Sequence, residues 1–328
     1  MTTATGAGGG RGSGPGRRRV AGSPGTARVW AALAVVYVVW GSTYLAIDLA
    51  IETLPPFLML SARFLAAGAI LYAIAFRGAE RPRLVHWRSA LVIGAALLLL
   101  GNGGVAFAVQ RVDTGIVALI VGSVPLWMAL LDRVIYGQRL APMAVVGLVL
   151  GFGGIAFLAR PSGDGSVAGM IVVLLGSLAW AAGSLYSRKA PLPASPFQGA
   201  ALQMLAGAAA LGIFGVAKGE VGAFDLGAVS TTSLVAFAYL VVIGSLIGFS
   251  AYIWLLKAAP THLVGTYAYV NPVVAVLLGT LWLGEPITLT TIIGGAAIIV
   301  AVALIVSARP VAESGPRRAP FALPARGR

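Results

Sequence analysis

Cysteine is absent from the 328 residues of this chain. Without thiols, the chain forms no disulfide, uses no thiol in catalysis and holds no cysteine-ligated zinc. Histidine is almost absent as well, since His86 and His262 are the only two. Two isolated histidines provide neither a metal site nor a Ser–His–Asp triad. We therefore expect no metal, no cofactor and no catalytic residue, and the sequence argues against an enzyme.

Charged residues are also scarce, at 10% of the chain, whereas hydrophobic residues make up 59%. Apolar runs of about 20 residues are typical of transmembrane helices, and a membrane β-barrel would show short alternating segments instead. The composition therefore predicts an all-α integral membrane protein with ten transmembrane helices. The predicted spans are Val29–Ala50, Pro56–Phe76, Ser89–Val109, Thr114–Ile135, Pro142–Leu158, Val167–Tyr186, Phe197–Ala217, Ser233–Leu256, Thr261–Leu283 and Thr288–Ser307.

The two ends of the chain differ in composition from its centre. Residues 1–28 are rich in Gly, Arg, Ser and Pro, which predicts a disordered basic tail. This segment has no apolar core, so we do not expect a cleaved signal peptide. Residues 308–328 form a second basic tail. Between the tails we expect a first repeat over 29–159, a linker over 160–166 and a second repeat over 167–307.

The positive charges are distributed unequally between the two sides of the predicted bundle. With both termini in the cytoplasm, 19 of the 23 Lys and Arg lie on the inner side, and Arg111, Arg160 and Lys218 lie on the outer side. This bias follows the positive-inside rule. It predicts a multi-pass protein of the cell membrane with two cytoplasmic termini. The net charge of +13 suits anionic lipid better than nucleic acid, so the expected partners are the bilayer and a small molecule.

A repeat with an offset of 147 residues runs through the apolar region. Thr114, Pro125, Gly137 and Gly147 recur as Thr261, Pro272, Gly284 and Gly294. Trp40-Gly41-Ser42 in span 1 is also echoed by Trp180-Ala181-Ala182 in span 6. Because each half holds an odd number of spans, the second half must insert upside down relative to the first. We therefore expect two inverted five-helix repeats, the architecture of many secondary transporters.

Pro125 and Pro272 lie near the middle of spans 4 and 9 by helical rise. A proline inside a helix frees the carbonyl four residues earlier, here the carbonyls of Val121 and Ala268. One interpretation is an ordinary prolyl kink. The other is a pair of hinges beside a transporter binding site.

Arg63 is the most informative single side chain. It lies seven residues into span 2, about 10 Å below the outer end. An ionisable group inside a membrane span is a functional candidate, and the guanidinium fork matches a carboxylate. The alternative is an arginine that snorkels outward or pairs with Asp48 or Glu52.

Other polar and aromatic residues inside the spans are candidate substrate contacts, because polar atoms are costly there. They are Trp40, Ser42, Tyr44, Asn102, Gln110, Trp180, Tyr267, Tyr269 and Asn271. Trp40 is too deep for an interfacial anchor, which favours packing or a cavity. The run Gly101-Asn102-Gly103-Gly104 permits close helix contact, either within the chain or in a homodimer.

Two acidic residues, Asp48 and Glu52, lie near the outer end of span 1, and the sequence is compatible with two roles for them. They are either solvated carboxylates or members of a proton path. No acidic residue lies clearly at mid-membrane.

Several segments together resemble the EamA-type drug/metabolite transporter superfamily, and within it the YedA-like exporters, over about residues 29–307. These segments are Trp40-Gly-Ser-Thr-Tyr44, Leu54-Pro-Pro56, Ala62-Arg63-Phe64, Tyr267-Ala-Tyr-Val-Asn-Pro272 and Leu283-Gly-Glu-Pro286. The resemblance implies a ten-helix carrier with a central cavity, which exports small metabolites such as amino acids, or drugs. Gly137-Gln138 departs from the second copy, Gly284-Glu285. The alternative function is a structural or sensory membrane protein that transports nothing.

Overall fold

The computed structural model describes residues 26–76, 81–137, 140–158, 166–259, 261–264 and 266–307. All regular secondary structure within these ranges is helical, which confirms the expected all-α class. The predicted tails lie outside the described residues except for 26–28, and the predicted linker does so except for residue 166. Gln138 also lies outside them.

The apolar helices follow one another along the described ranges. In chain order they are α1 (Thr26–Ile51), α2 (Pro56–Ala75), α3 (Leu84–Ala108), α4 (Thr114–Tyr136), α5 (Pro142–Leu158), α6 (Val167–Ser187), α7 (Pro196–Ala217), α8 (Thr231–Tyr252, continuing to Ala258), α9 (Tyr267–Leu283) and α10 (Leu289–Ser307). Eight of them are long and apolar enough to cross a membrane, whereas α5 and α9 are shorter. Three short helical turns, Glu220–Ala223, Leu226–Ala228 and Thr261–Val264, lie in the connections.

Local sequence determines where many of these helices begin and end. α2 and α7 begin with proline, whose missing N–H costs nothing in a first turn. The hydroxyl of Ser230 accepts a hydrogen bond from the amide of Ser233 and so caps α8. α4 and α9 end at Gly137 and Gly284, with φ of 66° and 69°. Both glycines therefore take the left-handed conformation that commonly terminates a helix.

Three helices contain π-helical turns, which in α9 form its last residues, Gly279–Leu283. In α3 they span Ala95–Asn102, and in α8 they span Leu240–Ile247. The offset of 147 residues places one segment almost on the other. Because π-helical turns are rare and often mark functional sites, these two segments direct attention to the middle of α3 and α8.

Packing joins the helices in pairs that cross between the two halves of the chain. α2 packs along α7, and α5 packs along α10. α1 packs against α8 and α9, while α6 packs against α3 and α4. Glycines permit the α5–α10 contact, since a Cβ at Gly154 would lie 2.9 Å from the carbonyl oxygen of Gly294. This arrangement leaves α5 and α10 at one side and places α1, α3, α4, α6, α8 and α9 next to one another.

Candidate functional site

Arg63 is a residue of α2, and its side chain points toward α8. Only 4% of the residue's surface is exposed. Its Nε–H donates to the hydroxyl of Ser245 at 3.0 Å, and that hydroxyl donates to the carbonyl of Leu240 at 3.0 Å. Nη2 lies 3.3 Å from the position that a Cβ on Gly244 would occupy. Nη1 is buried and has no hydrogen-bond partner. One end of the guanidinium therefore keeps hydrogen-bond donors without a partner in this conformation.

Among the described residues, no acidic side chain forms an ion pair with Arg63. In the part of the chain that the structure describes, an ion pair joins Arg188 and Asp132 at 3.8 Å, and neither Asp48 nor Glu52 lies in such a pair with Arg63. The alternative in which Arg63 pairs with Asp48 or Glu52 is therefore wrong, and burial excludes snorkelling. An unpaired charge in a low-dielectric interior is costly. An anionic group bound at Nη1 would offset this cost.

The guanidinium lies well inside the membrane region. Thr43 of α1 reaches the same point as Arg63, because its Cγ2 lies 3.4 Å from the Cβ position of Gly244. Thr43 precedes the end of α1 at Ile51 by eight residues, which corresponds to about 12 Å of helical rise. The charge is therefore placed near the middle of a hydrocarbon core of about 30 Å.

An aromatic cluster lies one helical turn further along α8 from the Arg63 site. Trp40 contacts Tyr252 and Tyr267, with ring centroids 5.0 Å and 5.2 Å apart, and those two tyrosines lie 5.8 Å apart. The Trp40 indole nitrogen lies 2.8 Å from the Cβ position of Gly248. Gly248 follows Gly244 by four residues, so the indole and the Arg63 site occupy successive turns. Trp40 is half-buried, as expected for packing or a cavity.

Polar contacts join α1 to the first turns of α9 below this cluster. The side-chain amide of Asn271, oriented to satisfy its neighbours, donates to the carbonyls of Tyr37 at 3.3 Å and Tyr267 at 3.2 Å. The hydroxyl of Tyr37 also hydrogen-bonds to that of Thr266. Tyr269 is half-buried against the core near α4 and α10. The structure thus brings Tyr267 and Asn271 to Trp40.

A similar tryptophan–glycine contact joins α6 to α3. Trp180 of α6 covers Gly101 of α3, where a Cβ would lie 2.7 Å from the indole Cε3. The Asn102 side chain donates to the carbonyl of Leu97 at 3.2 Å and so occupies the π-helical turns of α3. The glycine-rich run of α3 therefore permits close contact within one chain.

The remaining candidates lie in different places. Ser42 hydrogen-bonds to the hydroxyl of Tyr239 at 2.6 Å, on the side of α1 that faces α8. Tyr44 is half-buried against the large core cluster. Gln110 is exposed just beyond the end of α3 at Ala108 and donates to the carbonyl of Ala106 at 2.7 Å. Gln110 is thus remote from the groups around Arg63.

The two helices that contain Pro125 and Pro272, α4 and α9, contact each other close to these prolines. In α4 the helix is interrupted at Gly122, three residues before Pro125, whereas in α9 Pro272 lies inside a continuous helix. A Cβ at Gly122 would lie 3.3 Å both from the Ala268 carbonyl oxygen and from Pro272 Cγ. The carbonyl that Pro272 frees therefore faces the α4 interruption.

Two glutamates cap helices that lie far away in sequence. Glu285 accepts hydrogen bonds from the amides of Thr114 at 2.6 Å and Gly115 at 3.1 Å, at the start of α4. Glu220 accepts them from the amides of Phe57 at 3.2 Å and Leu58 at 2.8 Å, at the start of α2. Each carboxylate satisfies free N–H groups at the positive end of a helix dipole.

The sequence did not single out Ser245, Gly244, Tyr239 or Tyr252, although α8 provides all four. An available signal was the pair Gly244 and Gly248, one turn apart, with a serine between them. The caps formed by Glu220 and Glu285 had no local signal, because their partners lie more than 160 residues away.

Comparison with known proteins gives consistent similarities. A model of the EamA-like transporter family matches residues 28–160 and 167–307. The chain is 37% identical over 296 residues to the inner membrane transporter YedA of Escherichia coli strain K12, covering 89% of this chain and 95% of that protein. It is 26% identical over 276 residues to the transporter YvbV of Bacillus subtilis strain 168, covering 83% and 90%. A crystal structure matches with a TM-score of 0.58 at 22% identity, covering 86% and 96%, which shows a shared fold.

Proposed function

The chain belongs to the EamA-like transporter family and is a multi-pass inner membrane transporter, and we propose that it exports small metabolites, such as amino acids or related compounds, or drugs, by alternating access. The two halves of the chain would rock against each other around a site near mid-membrane. We assign it no enzymatic activity.

The observation that carries this proposal is a contact between the two halves that occurs twice, once in each direction. Trp40 covers Gly248 on α8, and Trp180 covers Gly101 on α3. The two glycines are 147 residues apart, which is the offset of the sequence repeat, and each lies at or next to π-helical turns. This reciprocal contact between the halves supports two inverted five-helix repeats. The two stretches matched by the family model, 28–160 and 167–307, agree with this division.

Ten spans and cytoplasmic termini complete the proposed topology. α5 and α9 would cross the membrane with α4 and α10 as neighbours, and both shorter helices are apolar. The excess of Lys and Arg on the inner side supports the orientation. An even number of spans returns the chain to the side on which it started.

The proposed site contains Arg63 as the contact for a substrate anion. Its unpartnered Nη1 and the absence of a carboxylate partner among the described residues support this role. Side chains from both halves would surround the substrate in the two states: Trp40, Ser42, Tyr44, Asn102, Trp180, Tyr267, Tyr269 and Asn271. Gln110 would contact the substrate only at the outer exit, because its side chain is exposed there.

Pro125 and Pro272 would act as hinges. The interruption of α4 at Gly122 lies against Pro272 of α9, so a bend in one helix would change the surface that the other contacts. Helix interruptions that face protein rather than lipid are tolerated in membranes. Two adjacent interruptions from the two halves therefore support a moving junction.

Reconstitution tests the function directly. Proteoliposomes are loaded with a mixed metabolite pool that includes amino acids, and mass spectrometry measures which compounds leave. Vesicles without protein and vesicles with the Arg63→Met variant serve as controls. Selective loss of one compound class from wild-type vesicles alone would identify the substrate. If folded wild-type protein releases nothing from the pool, the proposed substrate classes are wrong, and a structural or sensory role gains support.

A further inference from the structure

Both ends of α4 are held by side chains from the second half of the chain, although α4 belongs to the first half. At the start of the helix, the Glu285 carboxylate accepts hydrogen bonds from the amides of Thr114 at 2.6 Å and Gly115 at 3.1 Å. A negative charge at this position stabilises the positive end of the helix dipole. In the proposed topology the start of α4 lies on the outer side, so we call this contact the outer clamp.

Contacts of the opposite charge hold the other end of α4, where Asp132 and Tyr136 lie one turn apart. Arg188 Nη1 lies 3.8 Å from Asp132 Oδ2, and Lys189 Nζ lies 3.8 Å from the centre of the Tyr136 ring. Positive charges near the last turn of a helix stabilise the negative end of its dipole. In the proposed topology this end lies on the inner side, so we call these two contacts the inner clamp.

Between the two clamps α4 is not one continuous helix. Its segments Thr114–Val121 and Val124–Tyr136 are separated at Gly122. The first segment packs mainly against α9, and the second packs mainly along α6. Glu285 follows the end of α9 and Arg188 follows the end of α6. Each clamp therefore fastens one segment of α4 to the helix that lies beside that segment.

The inner clamp adjoins the aromatic cluster of the candidate site. Arg188 lies within electrostatic range of Tyr252. Tyr252 contacts Trp40 at 5.0 Å and Tyr267 at 5.8 Å between ring centroids. The cluster itself lies one helical turn along α8 from the Arg63 site. A substrate that moves from Arg63 toward the inner side would therefore pass the aromatic cluster and then the inner clamp.

We propose that α4 carries both gates of the transporter, and that the outer and inner clamps open alternately. Release of Glu285 frees the first segment of α4 from α9 and opens the outer side while the inner clamp stays closed. Release of Arg188 from Asp132 frees the second segment from α6 and opens the inner side while the outer clamp stays closed. In this structure both clamps are formed, which corresponds to the closed intermediate between the two open states.

Ordinary helix capping gives a different expectation. A charge at a helix end acts within the first or last turn, whereas α4 has 23 residues from Thr114 to Tyr136, or roughly 34 Å of helical rise. Loss of an ordinary cap should therefore leave the opposite end of the helix unchanged. A change at the opposite end reports a shift between the two open states.

This inference rests on the proposed alternating access, but its test requires neither substrate nor transport. Hydrogen–deuterium exchange is measured at constant pH on the purified full-length protein and on two variants. In Glu285→Ala, exchange should rise at the first turn of α4, by roughly 2- to 30-fold as for other lost caps, and should fall at the last turn. In Asp132→Asn, exchange should rise at the last turn and fall at the first, by roughly 1.4- to 5-fold as for an exposed ion pair.

Matched variants separate the clamps from simple capping. Glu220→Ala removes a similar carboxylate from the start of α2, but Glu220 follows α7, along which α2 packs. This cap therefore lies within one packed pair, and its loss should raise exchange at the start of α2 alone. Arg188→Gln should reproduce the pattern of Asp132→Asn, whereas Arg188→Lys keeps the charge and should leave both ends of α4 close to wild type. Asp132→Asn is the mild variant that decides the question if Glu285→Ala fails to fold.

Two exchange patterns would overturn the inference. If each variant loosens its own end of α4 and leaves the other unchanged, the clamps are ordinary caps. If one variant loosens both ends, the clamps act together and do not alternate. A protein that shows the reciprocal pattern but releases no metabolite from vesicles would contradict the proposed function alone, and one that exports metabolites without this pattern would contradict only the role of the clamps.

Discussion

Arg63 and Ser245 are 182 residues apart in sequence, and one hydrogen bond of 3.0 Å joins them inside the membrane region. This bond occupies Nε and directs the other end of the guanidinium away from Ser245, where Nη1 has no partner. A buried arginine that only stabilised the fold would be expected to have its donors satisfied. The geometry therefore separates stability from function at this residue, and the two can be measured independently.

Replacement of Arg63 by Met should abolish transport without destabilising the protein. Replacing a buried charge with an apolar side chain of similar length is often neutral or stabilising, by up to about 4 kcal/mol. Loss of a charged hydrogen bond to substrate should cost about 1.5–3 kcal/mol, roughly 10- to 150-fold in affinity. Thermal unfolding and vesicle efflux measure the two effects. Arg63→Lys keeps the charge but loses the planar guanidinium fork, so its efflux rate should fall between those of wild type and Arg63→Met. Normal efflux kinetics in Arg63→Met would refute a role of Arg63 in substrate binding.

Alanine at Gly248 or at Gly101 should slow transport. A Cβ at these positions would lie 2.8 Å from Trp40 Nε1 and 2.7 Å from Trp180 Cε3, so the indole must move. Overpacking of this kind costs about 1–3 kcal/mol. Efflux rate and tryptophan fluorescence should both change in each variant. Gly153→Ala on α5 is the matched control, because nothing lies within 4 Å of its Cβ position. Unchanged efflux in both test variants would exclude the paired contacts from the transport cycle.

Alanine at Pro272 should reduce the rate of transport several-fold while substrate affinity is kept. The new N–H can bond to the Ala268 carbonyl and straighten α9, which stiffens the junction with Gly122. Efflux kinetics at several substrate concentrations separate rate from affinity. A variant with normal rate would show that the kink is structural only.

The absence of cysteine allows the orientation to be tested with single labels. Leu226 is 79% exposed in the connection between α7 and α8, and Pro191 is exposed between α6 and α7. With cytoplasmic termini, Leu226→Cys should react with a membrane-impermeant maleimide in intact cells, and Pro191→Cys should react only after the membrane is opened. The reverse pattern would invert the proposed topology.

Sequence patterns predicted the parts of the fold that depend on local composition. Long apolar runs identified the helices, and the recurrence of Gly137 as Gly284 identified two equivalent helix ends, because a left-handed residue favours glycine wherever it occurs. Arg63 was recognisable because a charge within an apolar run is costly regardless of its neighbours.

The features that escaped prediction depend on contacts between distant segments. Pro125 indicated a kink in α4, but the interruption lies at Gly122, where the α9 helix approaches. Ser245 gained its role only when α8 was placed against α2. Neither position has a local energetic signature, so a single sequence could not reveal it.

The caps formed by Glu220 and Glu285 also have a consequence for biosynthesis. The carboxylate that caps the first turn of α2 lies 163 positions later in the chain, and the one that caps the start of α4 lies 171 positions later. Neither helix end can be capped until that later residue has been synthesised. At about 5–20 residues per second, the earlier helix end remains without its cap for roughly 8–33 s of translation. The amino-terminal half thus leaves the ribosome before its helix ends are satisfied, and its final assembly must follow synthesis of the carboxy-terminal half.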